Sequence, residues 1–132
     1  MFNHIMVGTS DIEKSKSFYD AVLGTLGFEG EPLPHTAATG HKRLFYRHNG
    51  GTLCLSEPIN NEPASAANGA TIGFKCDSPE QVARFHDVAV ANGGTSIEDP
   101  PGPRDGGALG TMHLSYVRDP DGHKLCAIHR AG

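Results

Sequence analysis

Eight histidines, three cysteines and fifteen carboxylates are the side chains of this 132-residue chain that could hold a metal ion or move a proton. Histidine suits both tasks near neutral pH, and His4 stands at the head of a short β-prone run, Met-Phe-Asn-His-Ile. Cys54 and Cys126 each follow a leucine late in one half of the chain. One imidazole and two thiolates make a three-ligand zinc site with a position left open. The same thiols serve equally well as small buried hydrophobes that fit a wall. Arg43, Phe45 and Arg47 alternate along one run and share a face, which suits an anionic or carboxylate ligand; an edge strand with its arginines in solvent has the same pattern. The stretch from Asp99 to Gly110 is long for a loop, and with Arg104 in it has the character of a lid or of a plain connection. His86, His113 and His123 read as solvent-exposed or capping residues, and Cys76 as core. Gly-rich phosphate loops, a nucleophilic serine elbow and zinc-knuckle spacing are all missing from the sequence.

The elements that must position these residues come from an internal repeat. Slid by 67 residues, Asn3 to Val7 lies over Ala70 to Phe74, Glu13 over Glu80, Phe18 over Phe85 and Gly27 over Gly94. At an offset of 72, Leu53-Cys54-Leu55 lies over Leu125-Cys126-Ala127, so the second copy carries a five-residue insertion. Two modules result, 1–59 and 69–130, joined by a polar, small-residue linker at 60–68. Each opens with a strand and enters a helix: about Asp11 to Leu26 behind the capping-box pattern Ser10-Asp11-Ile12-Glu13, and a second behind Ser78-Pro79 that ends at Gly93-Gly94. Three strands follow each helix. The expected spans are Phe28 to about Pro34, Lys42 to His48 and Thr52 to Glu57, then Thr95 to Asp99, Thr111 to Arg118 and Lys124 to His129. Asn49-Gly50-Gly51 and Asp119-Pro120-Asp121-Gly122 are turns. The fold class is α+β, a repeated βαβββ unit.

Alternation then assigns faces. Ile5, Phe18, Val22, Leu53, Ile72, Phe74, Phe85 and Leu125 belong to the cores between helix and sheet. Phe2, His4, Met6, Cys54, Thr71 and Cys126 point away from the helices, and if the modules pair into one curved mixed sheet these six line a central cavity.

Composition narrows the function classes. A net charge of −4 with scattered Lys and Arg argues against nucleic acid. No apolar run reaches the ~20 residues of a membrane span, and the opening residues lack the pattern of a signal peptide, so the cytoplasm is the expected compartment. Three cysteines without short-spaced pairs read as reduced thiols.

The opening Phe-Asn-His-Ile, Ser-Lys-Ser-Phe-Tyr in the first helix followed by Leu26-Gly27-Phe28, and Asp119-Pro120-Asp121-Gly122 before the last strand resemble the vicinal oxygen chelate superfamily, over essentially the whole chain. That family includes glyoxalase, bleomycin-resistance proteins, extradiol dioxygenases and fosfomycin-resistance enzymes. The resemblance implies paired modules around a ligand cavity, dimerisation, and in metal-bearing members a divalent ion (Zn, Ni, Fe or Mn) held by a histidine on the first strand of each unit and a carboxylate or histidine on the fourth. His4 matches the first of those positions. Thr71, Cys54 and Cys126 occupy the other three, which departs from the pattern. The expectation is therefore a homodimeric binding protein for a small organic molecule with a degenerate metal site; the alternative is a metal-dependent lyase or isomerase like lactoylglutathione lyase, or a dioxygenase.

Overall fold

Both helices start where a short polar side chain can accept the first free backbone N–H groups. In the computed structural model, which describes residues 1–130, helix α1 (Ile12–Gly24) is capped by Asp11, whose carboxylate accepts from the Lys14 amide. Ser10, the expected cap, instead accepts from the amide of Ala64 in the linker. Helix α2 (Pro79–Ala91) is capped by Ser78 with Pro in its first turn, as expected. α1 stops at Gly24 rather than Leu26, because Thr25, Leu26 and Gly27 turn back in short i→i+3 bonds.

The first module runs β1 (Ile5–Gly8), α1, β2 (Leu33–Thr36), β3 (Lys42–His48) and β4 (Gly51–Ser56). Its sheet has the order β1-β4-β3-β2, with β1 parallel to β4 and the other pairs antiparallel. β3 is flanked on both sides, so Arg43, Phe45 and Arg47 do not sit on an edge strand. The β3–β4 hairpin turns through Asn49 (φ 48°) and Gly50 (φ 82°), the left-handed pair that a two-residue hairpin requires. β2 begins five residues later than the sequence pattern suggests, since Gly30 (φ 88°) and Pro32 keep the preceding stretch out of the ladder.

The second module runs β5 (Ile72–Lys75), α2, β6 (Thr95–Ser96), β7 (Gly102–Asp105), β8 (Thr111–Arg118) and β9 (Lys124–Arg130). Here β5 is parallel to β9, and β8 pairs with β9 on one side and with β6 and β7 on the other. The stretch 99–110 is thus not an open lid: β7 and a 3-10 turn at Gly107–Leu109 occupy it, and the strand expected through Asp99 ends at Ser96. The insertion in the second copy became an extra strand.

The sheets stay separate, β1 and β5 being unladdered edges, while one hydrophobic core joins the modules. Phe18, Val22, Phe85 and Leu125 are fully buried in it, Leu53 and Cys76 nearly so, and Ile72 and Phe74 pack on its border. Ile5 departs from expectation: it is 37% exposed, because it sits on the open β1 edge. Polar groups tie the modules as well. Asp119 in the turn before β9 accepts the Tyr19 hydroxyl of α1 at 2.5 Å, Asp121 accepts from the Ser10 amide and the Ser15 hydroxyl, and His123 Nε2 donates to the carbonyl of Gly8 at 2.8 Å. His123 is thus a clasp between modules rather than a solvent-exposed residue. His113 also faces inward, opposite His129, with Nδ1 buried. His86 bonds to Ser96 and Asp87 on the surface of α2.

Candidate functional site

Register places the expected site residues on strand faces. Met6, Cys54 and Phe45 lie abreast across β1, β4 and β3, and their neighbours Ile5, Leu53 and Tyr46 point the other way, toward α1. In the second sheet Gly73, Cys126 and Tyr116 form the equivalent row. Cys54 and Cys126 therefore occupy matching positions on the faces turned away from the helices, as the repeat implies. His4 and Thr71 immediately precede β1 and β5, and both are exposed. Phe2 is 76% exposed.

The thiols form the floor of these faces. Cys54 has no exposed surface, and burial pushes its pKa up, against the pull of the Arg43 and Arg47 charges. Burial likewise raises Cys126, opposed by the Tyr116 hydroxyl and the Lys124 ammonium. Both stay thiols at neutral pH, which makes them weak nucleophiles. His4 Nδ1 bonds to Asn3 Oδ1 at 2.7 Å.

The divalent ion implied by the resemblance does not fit these residues. Its four positions hold one exposed imidazole, a hydroxyl and two buried protonated thiols. Among the described residues, no three His, Cys, Asp or Glu side chains come close enough to hold an ion, so His4, Cys54 and Cys126 do not form a triad.

Around the thiol floor the first sheet face is aromatic and basic. Phe45 lies between Arg43 and Arg47 on its own strand and packs edge-on against His35 of β2, with ring centres 5.6 Å apart. Arg43 Nε donates to the Ser56 hydroxyl. On the second face the Lys124 ammonium sits 4.7 Å from the centre of the Tyr116 ring and pairs with Glu98.

The structure also shows a cavity that alternation along single strands did not reveal. About 480 Å³ of space opens between the modules on the helix side, walled by Ile5, Phe28 and Leu53 of the first and Ile72, Phe74 and Gln81 of the second. None of the six expected cavity residues lines it. Met6 and Thr71 do meet at a smaller cleft, about 310 Å³, between the β1 and β5 edges. Phe2, His4, Cys54 and Cys126 line neither space.

The family model of the Glyoxalase/Bleomycin resistance protein/Dioxygenase superfamily matches residues 1–127. A crystal structure of a glyoxalase/bleomycin resistance protein from Albidiferax ferrireducens T118 is 52% identical, with 98% of this chain and 99% of that one aligned and a TM-score of 0.89. A glyoxalase-related enzyme from Fulvimarina pelagi shares the fold at 23% identity, over 98% of this chain and 88% of its own, with a TM-score of 0.71. No curated protein matches the chain.

Proposed function

Because the chain belongs to the glyoxalase/bleomycin resistance protein/dioxygenase superfamily, we propose that it binds a small organic molecule on the outward sheet faces of its modules, without the family's metal centre. One observation carries this reading: no carboxylate stands at the four positions equivalent to the family's ligands, and among the described residues His4, Cys54 and Cys126 do not come together in any group of three ligands. Isomerising a hemithioacetal needs a base for a carbon-bound proton and a cation for the resulting enediolate. A buried neutral thiol provides neither. Binding needs only apolar contact with a few oriented polar groups, and Phe45 and Met6 with Arg43 and Arg47 on the first face supply both.

A homodimer completes the proposal. Phe2, Met6 and Leu33 are 76, 41 and 51% exposed in one chain, an apolar surface that a two-fold partner would cover while closing the open faces into a cavity. Light scattering at micromolar concentration that finds only the 14.0 kDa chain would refute the dimer. Three free, buried cysteines suit a reducing compartment, the cytoplasm, and no helix among the described residues is long and apolar enough to cross a membrane.

The test of function is a small-molecule screen by thermal shift on the wild type and on Phe45→Ala, run beside a methylglyoxal and glutathione assay with added divalent metals. Ligands that stabilise the wild type but not Phe45→Ala, equally with and without metal, support binding. Robust metal-dependent turnover, lost in His4→Ala, would establish the lyase alternative and defeat the reading.

A further inference from the structure

The chain carries a net charge of −4, yet its cations are not spread evenly over it. In the first sheet Arg43 and Arg47 stand at outward ladder positions, in register with Ser56 and Thr52. In the second, Lys75, Arg104, Arg118, Lys124 and Arg130 do the same, in the rows that hold Ile128, Met112 and Lys124. Seven of the eleven Lys and Arg residues thus lie on the two outward faces. Among the described residues no Asp or Glu occupies an outward ladder position. The single strand carboxylate, Asp105, pairs with Thr111 on the opposite side, and the others stand on helices, turns and loops.

We infer that the molecule bound on these faces is an organic anion, an aromatic body carrying a carboxylate, with Arg43 and Arg47 on either side of Phe45 as its anchoring subsite. The inference rests on the binding reading above and adds the chemistry of the ligand. Several of the cations already have partners: Lys124 pairs with Glu98, Arg104 donates to the carbonyls of Asp99 and Pro100, and Arg118 donates to that of Gly122. Arg47 differs. Among the described residues it has no hydrogen-bond or ion-pair partner, and Arg43 commits only its Nε, to Ser56. Two guanidinium forks with free N–H groups therefore flank an aromatic ring at i−2 and i+2 on one sheet face, and both charges act on the Cys54 thiol of the neighbouring strand. A guanidinium presents parallel N–H donors that match the two oxygens of a carboxylate. Phe45 and its edge-on partner His35, with Met6 and Leu33 nearby, offer an apolar floor for the rest of the ligand, and aromatic rings pack well in offset or edge contact with such a floor. An inorganic anion would leave that floor uncovered, and a cationic ligand would meet like charge.

The experiment titrates the full-length protein by calorimetry with 2-naphthoate, its neutral isostere 2-naphthamide, 2-naphthylmethylammonium and inorganic phosphate, in the wild type and in Arg47→Gln. Arg47 is exposed, so this substitution leaves the fold intact, which circular dichroism verifies. The expected result is naphthoate bound at least ~10-fold more tightly than naphthamide. That preference should shrink as salt rises toward about 0.5 M, where screening is short-ranged, and vanish in Arg47→Gln while naphthamide binding is unchanged. Equal binding of naphthoate and naphthamide, or a preference that survives Arg47→Gln, overturns the anion inference and leaves the binding reading standing. Preference for the ammonium probe, or phosphate bound as tightly as naphthoate, also overturns it. Failure of all four probes, together with a blank thermal-shift screen, removes the binding reading as well.

Discussion

Replacing Tyr19 with Phe removes one hydroxyl and leaves the ring's packing intact, edge-on against Phe18 at 4.9 Å and tilted toward Tyr46 at 6.3 Å. That hydroxyl donates to Asp119 Oδ2 at 2.5 Å, while Oδ1 of the same carboxylate accepts the amides of Asp121 and His123 at 2.9 Å each. Tyr19 is 0% and Asp119 4% exposed, so water cannot take the place of the lost donor. Hydrogen bonds to a charged group are worth about 1.5–3 kcal/mol, and stranding a buried acceptor costs toward the upper end of that range. Tyr19→Phe should therefore cost about 2–3 kcal/mol. For a domain of this size the urea m-value is about 1–2 kcal/mol/M, so the unfolding midpoint should fall by roughly 1–3 M with an unchanged slope. Tyr46→Phe is the internal control: its hydroxyl bonds to Asp20, whose side chain is 34% exposed, and solvent can replace much of what is lost. A double-mutant cycle of Tyr19→Phe with Asp119→Asn should return a coupling above about 1 kcal/mol. A loss below about 0.5 kcal/mol at Tyr19, or one no larger than at Tyr46, would refute the view that this contact clasps the second module to the first helix.

Phe18→Ala and Phe85→Ala, at equivalent fully buried positions of the two helices, should each cost about 3–5 kcal/mol in the same assay; a loss under about 1 kcal/mol would contradict a core shared by both modules. Gly94→Ala should lose on the order of 1–3 kcal/mol, since an added Cβ would lie 2.8 Å from the Ala89 carbonyl and 3.0 Å from that of Arg118, and backbone cannot step aside as a side chain does. Burial pushes the Cys76 thiol up to about 11 from its ordinary 9.0. The folded state thus favours the protonated form, and this part of the stability is complete below about pH 9 and declines as pH rises toward 11, by roughly 2 kcal/mol. Urea midpoints for the wild type and Cys76→Ala at pH 8 and about pH 10.5 test this, with equal pH slopes as the contrary result.

Periodicity made the repeat and its faces legible because both are local. The spacing of Phe18 and Val22 against Phe85 and Ala89 follows from 3.6 residues per turn, and the opposition of Leu53 to Cys54 from the pleat. Features set by contacts distant in sequence were hidden. Ser10 reads as a cap until the linker arrives and Ala64 takes its hydroxyl, leaving the cap to Asp11. The stretch from Asp99 to Gly110, rich in Gly and Pro, reads as a loop, yet Gly102–Asp105 finds its ladder on β8, whose own sequence says nothing of a second partner. Asp119-Pro120-Asp121-Gly122 is legible as a turn, whereas its hold on α1 across more than a hundred residues is not.

The candidate site divides along the same line. That Cys54 and Cys126 share an orientation was readable, since it needs only alternation within each strand. Whether they meet was not, because that depends on how the β1 and β5 edges approach, and no hydrogen-bond ladder dictates the approach. The helix-side cavity escaped for a related reason: its walls combine Phe28, beyond the end of α1, with Gln81 on α2, whose side chain reaches the Thr25 carbonyl at 2.9 Å. The charge pattern needed both kinds of information. Arg43 and Arg47 share a face by alternation alone, but the reading of that face as an exposed edge failed once β2 paired outside β3. With β3 interior to its sheet, the two guanidinium groups flank Phe45 on a face floored by Cys54, with Arg47 still open to solvent. An arriving carboxylate there meets two guanidinium donors on either side of an aromatic ring, so its orientation is set by the paired N–H groups while the apolar contact comes from Phe45.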